Sequence, residues 1–123
     1  MSHTPVIAII DDDEDVRSAT ENLVLSLNLK AITFASAEDF LALADLDAVA
    51  CVITDVQMRE MSGIDLQAYL QAEKRSLPMI FMTAFDDPKI RQIAEMAGAI
   101  GFLAKPCDGT TMISLIERAI TAG

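Results

Sequence analysis

Hydrophobic residues in this chain follow two rhythms that take turns. Short apolar runs at 6–10, 30–34, 50–54, 78–82 and 100–104, rich in Val, Ile, Phe and Met, predict five strands. Longer amphipathic stretches separate them. Across 14–27, Val16, Ala19, Leu23 and Leu27 recur at helical spacing and predict one buried face. Across 36–44, Ser36 stands where a helix needs a cap, with Asp39 three positions on. Further helices are predicted at 63–74, at 86–97 with Pro88 in the first turn and Gly98 just past the end, and at 108–121. On the fourth helix, Ile90, Ile93, Ala94 and Ala97 are expected to face inward, leaving Lys89, Gln92 and Met96 toward its edge.

Strand and helix thus alternate five times. Parallel strands need crossovers long enough to hold a helix, so the pattern predicts the α/β class: a doubly wound (βα)5 fold whose five-stranded parallel sheet is covered on both faces. A length of 123 residues suits one domain spanning 1–123. The sequence has no internal repeat and no Pro/Gly/Ser-rich linker, and no output domain is expected within it.

Charge narrows the partners. Nineteen acidic against nine basic side chains give a formal charge of −10, which repels nucleic acid and anionic membrane surfaces. Cys51 lies inside an apolar run and Cys107 is its one companion, so a structural disulfide is not expected. With no basic leader and no apolar segment of membrane length, a cytoplasmic setting is expected.

The chemistry gathers at strand ends. Asp11 and Asp12 follow the first strand, Asp55 ends the third, Thr83 ends the fourth and Lys105 ends the fifth. In open parallel sheets the carboxyl ends line the ligand crevice, so these five side chains are expected to converge. Singly, each has a plainer reading: Asp55 as a solvated turn residue, Thr83 as a self-satisfied hydroxyl, Lys105 as a surface lysine. Three clustered carboxylates repel one another and call for a cation. Mg²⁺ or Mn²⁺ fits an all-oxygen donor set, whereas zinc would want a His or Cys cluster, and His3, the sole histidine, falls at a start expected to be disordered. Beside such a cation and Lys105, Asp55 could attack phosphorus and form an acyl phosphate, with positioning and charge supplying the catalysis. Asp13 to Asp15 are expected to cap the first helix.

The motifs Ile9-Ile10-Asp11-Asp12, Thr54-Asp55-Val56-Gln57-Met58, Met82-Thr83-Ala84 and Lys105-Pro106 resemble the receiver domains of two-component signalling. The stretch 11–17, Ser36-Ala37-Glu38 and Met61-Ser62-Gly63 look most like the FixJ-type subgroup, whose members usually carry a C-terminal DNA-binding domain. This resemblance implies a flavodoxin-like, CheY-like sheet of order 2-1-3-4-5. It implies that a sensor histidine kinase or phosphotransfer protein phosphorylates Asp55, and that the chain catalyses only its own phosphorylation and dephosphorylation. Asp11, Asp12, Asp55 and the backbone carbonyl of Gln57 would hold the metal, and Lys105 would pair with the phosphoryl group. Thr83 and Phe102 would form the switch, with Ala84, Phe85 and Arg59 neighbouring the phosphoryl site. A cis Lys105–Pro106 bond and a weak phosphorylation-dependent homodimer through the fourth helix and fifth strand are also implied. An apolar Phe85 ring over the site would exclude the hydrolytic water and lengthen the life of the acyl phosphate.

The sequence departs from the family's pattern twice. Arg59 replaces the usual Pro, which loosens the expected loop after Asp55, and Cys107 stands where an aromatic is common. Two other readings compete. A haloacid-dehalogenase-type phosphatase would use Asp11 and Asp13, but Asp108 stands alone where that family has a late acidic pair, and Asp55 is left without a role. A non-phosphorylated docking receiver would not need all five polar residues intact.

Overall fold

The computed structural model describes residues 4–122, so His3 lies outside the described residues. The apolar runs form β1 (Val6–Ile10), β2 (Lys30–Phe34), β3 (Val49–Asp55), β4 (Met79–Thr83) and β5 (Gly101–Ala104). The amphipathic stretches form α1 (Glu14–Ser26), α2 (Ala37–Leu43), α3 (Gly63–Ala72), α4 (Pro88–Met96) and α5 (Gly109–Ala122). Asp55 and Thr83 are therefore the last residues of their strands. Pro78, having no N–H, stays outside β4 and offers only its carbonyl, to the Val52 N–H at 2.9 Å.

Helix ends follow local chemistry. Ser36 caps α2 through the Asp39 N–H, and Asp87 caps α4 ahead of Pro88 through the Lys89 N–H. The third helix stops short of 74 because Lys74 adopts a left-handed φ of 58°. A 3-10 turn at Leu46–Ala48, too short to leave a periodic signal, went unpredicted.

The sheet order is β2-β1-β3-β4-β5 and every neighbouring pair is parallel. Alternation along the strands sorts the apolar side chains into two cores. Ala8, Ile10, Val52 and Phe81 face Phe40, Leu66, Leu70 and Ala94 of α2, α3 and α4. Ile7, Ile9, Ile53, Ile80 and Met82 face Val24 of α1 and Met112, Leu115 and Ile116 of α5.

Two predicted faces hold with one exception each. On α1, Val16, Leu23 and Leu27 pack against the core as expected, beside the fully buried Thr20 and Val24, while Ala19 is exposed. Thr20 can face the sheet because its hydroxyl donates to the Val16 carbonyl at 2.8 Å. On α4, Ala94 is buried and Ile90 and Ala97 are half-buried, but Ile93 is 53% exposed. Ile93 precedes Ala94 by one residue, a rotation of about 100°, which carries it off the inward line and onto the flank with Met96. Two amides tie this helix down: Gln67 Nε2 donates to the Ala94 carbonyl at 3.2 Å and Gln71 Nε2 to the Ala97 carbonyl at 2.7 Å. No helix among the described residues is long and apolar enough to cross a membrane.

Candidate functional site

The carboxyl ends of β1, β3, β4 and β5 bring Asp11, Asp55, Thr83 and Lys105 together. Lys105 Nζ lies 2.8 Å from Asp11 Oδ2 and 3.1 Å from Asp55 Oδ2, bridging two buried acids. Asp12, next along the chain, is exposed at the rim. Asp11, Asp12 and Asp55 each offer a carboxylate oxygen, and these atoms lie within 4.8 Å of one another. An all-oxygen set of this kind suits a hard divalent cation that keeps part of its water.

Neighbouring residues fix the acids. Asp11 Oδ1 accepts the Asp13 N–H at 2.9 Å, and Arg17 Nη1 donates to the Asp11 carbonyl at 2.7 Å. Asp13 turns its own carboxylate to the Asp15 and Val16 N–H groups and caps α1. Asp55 Oδ1 accepts the Gln57 N–H at 3.2 Å. Beneath it, a methyl group on Gly63 would run into the Asp55 main-chain oxygen, so only glycine lets α3 begin against the end of β3.

Burial raises the pKa of Asp55. The Lys105 hydrogen bond offsets part of this, and the Asp11 charge adds to it. Burial would pull the Lys105 ammonium down, but the hydrogen bonds and charges of Asp11 and Asp55 outweigh it, and its pKa stands above the usual lysine value.

Thr83 is buried, and its hydroxyl shares one proton between Gln57 Oε1 and the Phe85 carbonyl, both at 2.8 Å, while accepting the Phe85 N–H at 3.0 Å. Gln57 thus acts through its N–H and its side chain. No sequence signal announces that side-chain contact, because an amide and a hydroxyl 26 positions apart carry no mutual pattern. Phe85 is 72% exposed, so its ring is not packed as a shield and its contacts here come from the main chain. Ala84 beside it is exposed too. Phe102 is buried, its ring 6.1 Å from that of Phe81 and the Arg91 guanidinium 5.0 Å above it.

The loop after Asp55 is held despite Arg59. Glu38 Oε2 accepts the Met61 N–H at 3.2 Å, and Ser62 and Asp65 form a reciprocal capping box at the start of α3. Arg59 is exposed and lines a cleft with Asp12, Ser36, Glu38 and Glu60. The Lys105–Pro106 bond is cis. Cys107 is half-buried and unpaired, and Cys51 is buried and unpaired.

A model of the response regulator receiver domain matches residues 7–117. The chain belongs to the response regulator receiver family. TodT, a response regulator protein of Pseudomonas putida, is 37% identical over 115 residues, which is 94% of this chain and 51% of that protein. The transcriptional regulatory protein FixJ of Rhizobium meliloti is 37% identical over 114 residues, 92% of this chain and 55% of that one. The chain spans about half the length of these relatives. Among solved structures, the receiver domain superposes on the response regulator StyR with a TM-score of 0.91 at 34% identity, covering 98% of this chain and 61% of that one. It superposes on FixJ-N with a TM-score of 0.85 at 33% identity, covering 98% and 96%. The likeness to the FixJ type is thus borne out at the level of the receiver domain.

Proposed function

We propose that this receiver domain accepts a phosphoryl group on Asp55 and answers by changing its α4/β5 surface. The observation that carries this reading is the Lys105 ammonium, held between Asp11 and Asp55 in a crevice with a third carboxylate at its rim. Asp55 is the nucleophile: a carboxylate oxygen bonds to phosphorus as the donor's bond to phosphorus breaks. Lys105 pairs with a phosphoryl oxygen, which takes over part of its present bonding to Asp55. Thr83 turns its hydroxyl from Gln57 and Phe85 toward the phosphoryl group, and Phe102 follows.

Asp11, Asp12, Asp55 and the Gln57 carbonyl would hold Mg²⁺ or Mn²⁺. When bound, the cation neutralises the carboxylates and the phosphoryl oxygens. A sensor histidine kinase or phosphotransfer protein is the donor in this reading. Residues 1–123 act as one receiver unit in the cytoplasm, controlling an output region or partner as the regulators it resembles do. A weak homodimer through α4 and β5 forms on phosphorylation. In sedimentation, the protein with beryllofluoride and Mg²⁺ should shift toward dimer at high concentration, and a monomer under all conditions would remove that part.

Intact-mass measurement after incubation with acetyl phosphate and Mg²⁺ tests the central claim. One added phosphoryl group is expected in the native chain and none in Asp55→Asn. Equal labelling of the two would move the acceptor elsewhere.

A further inference from the structure

Arg91 rises from α4 beside β5, and two features single it out. Its Nε and Nη2 lie 3.2 and 2.9 Å from Asp86 Oδ1 and Oδ2, a fork-to-fork pairing that fixes the plane of the guanidinium. Its Cζ then stands 5.0 Å from the centroid of the Phe102 ring, within the range in which a cation is drawn to an aromatic face. Phe102 is only 6% exposed, and this guanidinium forms part of its cover.

Asp86 lies on the same loop as the residues that hold Thr83. Phe85, next to it, bonds the Thr83 hydroxyl through both its N–H and its carbonyl. A change in the partners of that hydroxyl therefore reaches Asp86 through one peptide unit, and the carboxylate of Asp86 aims Arg91. We propose that Arg91 is a positioning residue that clamps the Phe102 ring in its buried place, with Asp86 making the clamp answer to the loop after Thr83. The proposal rests on the reading of Thr83 and Phe102 as the responding pair. The plainer alternative is an exposed ion pair, which on its own contributes little.

Fluorine NMR of the full chain carrying fluorophenylalanine separates these. The Phe102 signal is identified by its loss in Phe102→Leu, and its solvent isotope shift reports exposure. Arg91→Met, which keeps the apolar stem, should shift the balance toward exposed ring by about threefold, the size of a surface cation–aromatic contact. Asp86→Asn should give part of that change, and Arg91→Lys should restore part of it. An isotope shift unchanged in Arg91→Met overturns the clamp; a change in Arg91→Met with none in Asp86→Asn overturns the link to the loop. Titration with beryllofluoride and Mg²⁺ adds a readout that packing alone would not move. Its midpoint should differ between the native chain and Arg91→Met, because a change in the ring's populations changes the share of molecules competent to respond. Equal midpoints overturn the coupling. If the native chain does not respond to beryllofluoride at all, the reading of Asp55 fails, and the isotope shifts still decide whether Arg91 holds the ring.

Discussion

Lys105 serves two acids at once, with its ammonium 2.8 Å from Asp11 and 3.1 Å from Asp55. Removing it frees both carboxylates for a cation while deleting the partner proposed for the phosphoryl group. Lys105→Ala should bind Mg²⁺ more tightly than the native chain, by on the order of three- to tenfold given partial screening. Calorimetric titration measures this. The same variant should respond poorly to beryllofluoride, and a normal response would deny Lys105 its role.

Asp55 makes stability depend on pH in a particular direction. Its folded pKa is raised, so between the ordinary carboxylate value and that raised value the folded state holds more proton than the unfolded one. Stability contributed by the protonated form is present at low pH and is lost as pH rises through this interval. In metal-free buffer, Asp55→Asn should lack this loss and melt at a higher temperature than the native chain at neutral pH. Lys105 acts at the other end of the scale. Its raised pKa gives stability that is fully present below the ordinary lysine value and is lost as pH rises through the folded one, and this contribution should shrink in Asp55→Asn, where Asp11 is left as the only charged partner. Melting curves across pH, run on both proteins, separate the two contributions.

The exposure of Phe85 sets a limit on its influence. A ring that is 72% exposed cannot exclude water from the acyl phosphate as a packed lid would. The decay of phospho-Asp55 after removal of the donor should change by less than about threefold, or roughly 0.6 kcal/mol of barrier, in Phe85→Ala. An acceleration of tenfold or more would place the ring over the site after all.

The two thiols should label very unequally. Burial pushes Cys51 up to about 12, whereas Cys107 is half-buried and raised by burial with the Lys105 charge pulling back. At pH 8 the native chain should react with a maleimide at Cys107 only, and in urea at both. Mass spectrometry of tryptic peptides reads the outcome, and native labelling of Cys51 would contradict its burial.

The sheet was legible because β1, β3 and β4 are apolar on both faces, and strand-end polar residues stand out against them. Asp11, Asp55, Thr83 and Lys105 were found that way. What escaped were contacts between residues distant in sequence and of unlike type: Gln57 with Thr83, Glu38 with the Met61 N–H, Arg91 with Phe102. None belongs to a periodic pattern, so only tertiary placement reveals them. Single positions on α1 and α4 depart from their expected faces for another reason. Hydrophobicity alone favoured Ala19 and Ile93, whereas a threonine that satisfies its own hydroxyl and two glutamines reaching from α3 set the rotations.

Gly63 bears on how the molecule can respond. With the first turn of α3 lying backbone against backbone on the Asp55 peptide, that side of the crevice has no clearance into which β3 could recoil. It behaves as a fixed wall. A displacement begun at the Asp55 side chain is left the open side of the crevice, toward Lys105 and the Thr83 hydroxyl, whose bonds to Gln57 and Phe85 are part-buried. The asymmetry gives the signal a direction before any partner arrives: one flank of Asp55 is stiff enough to push from, and the other is loose enough to move.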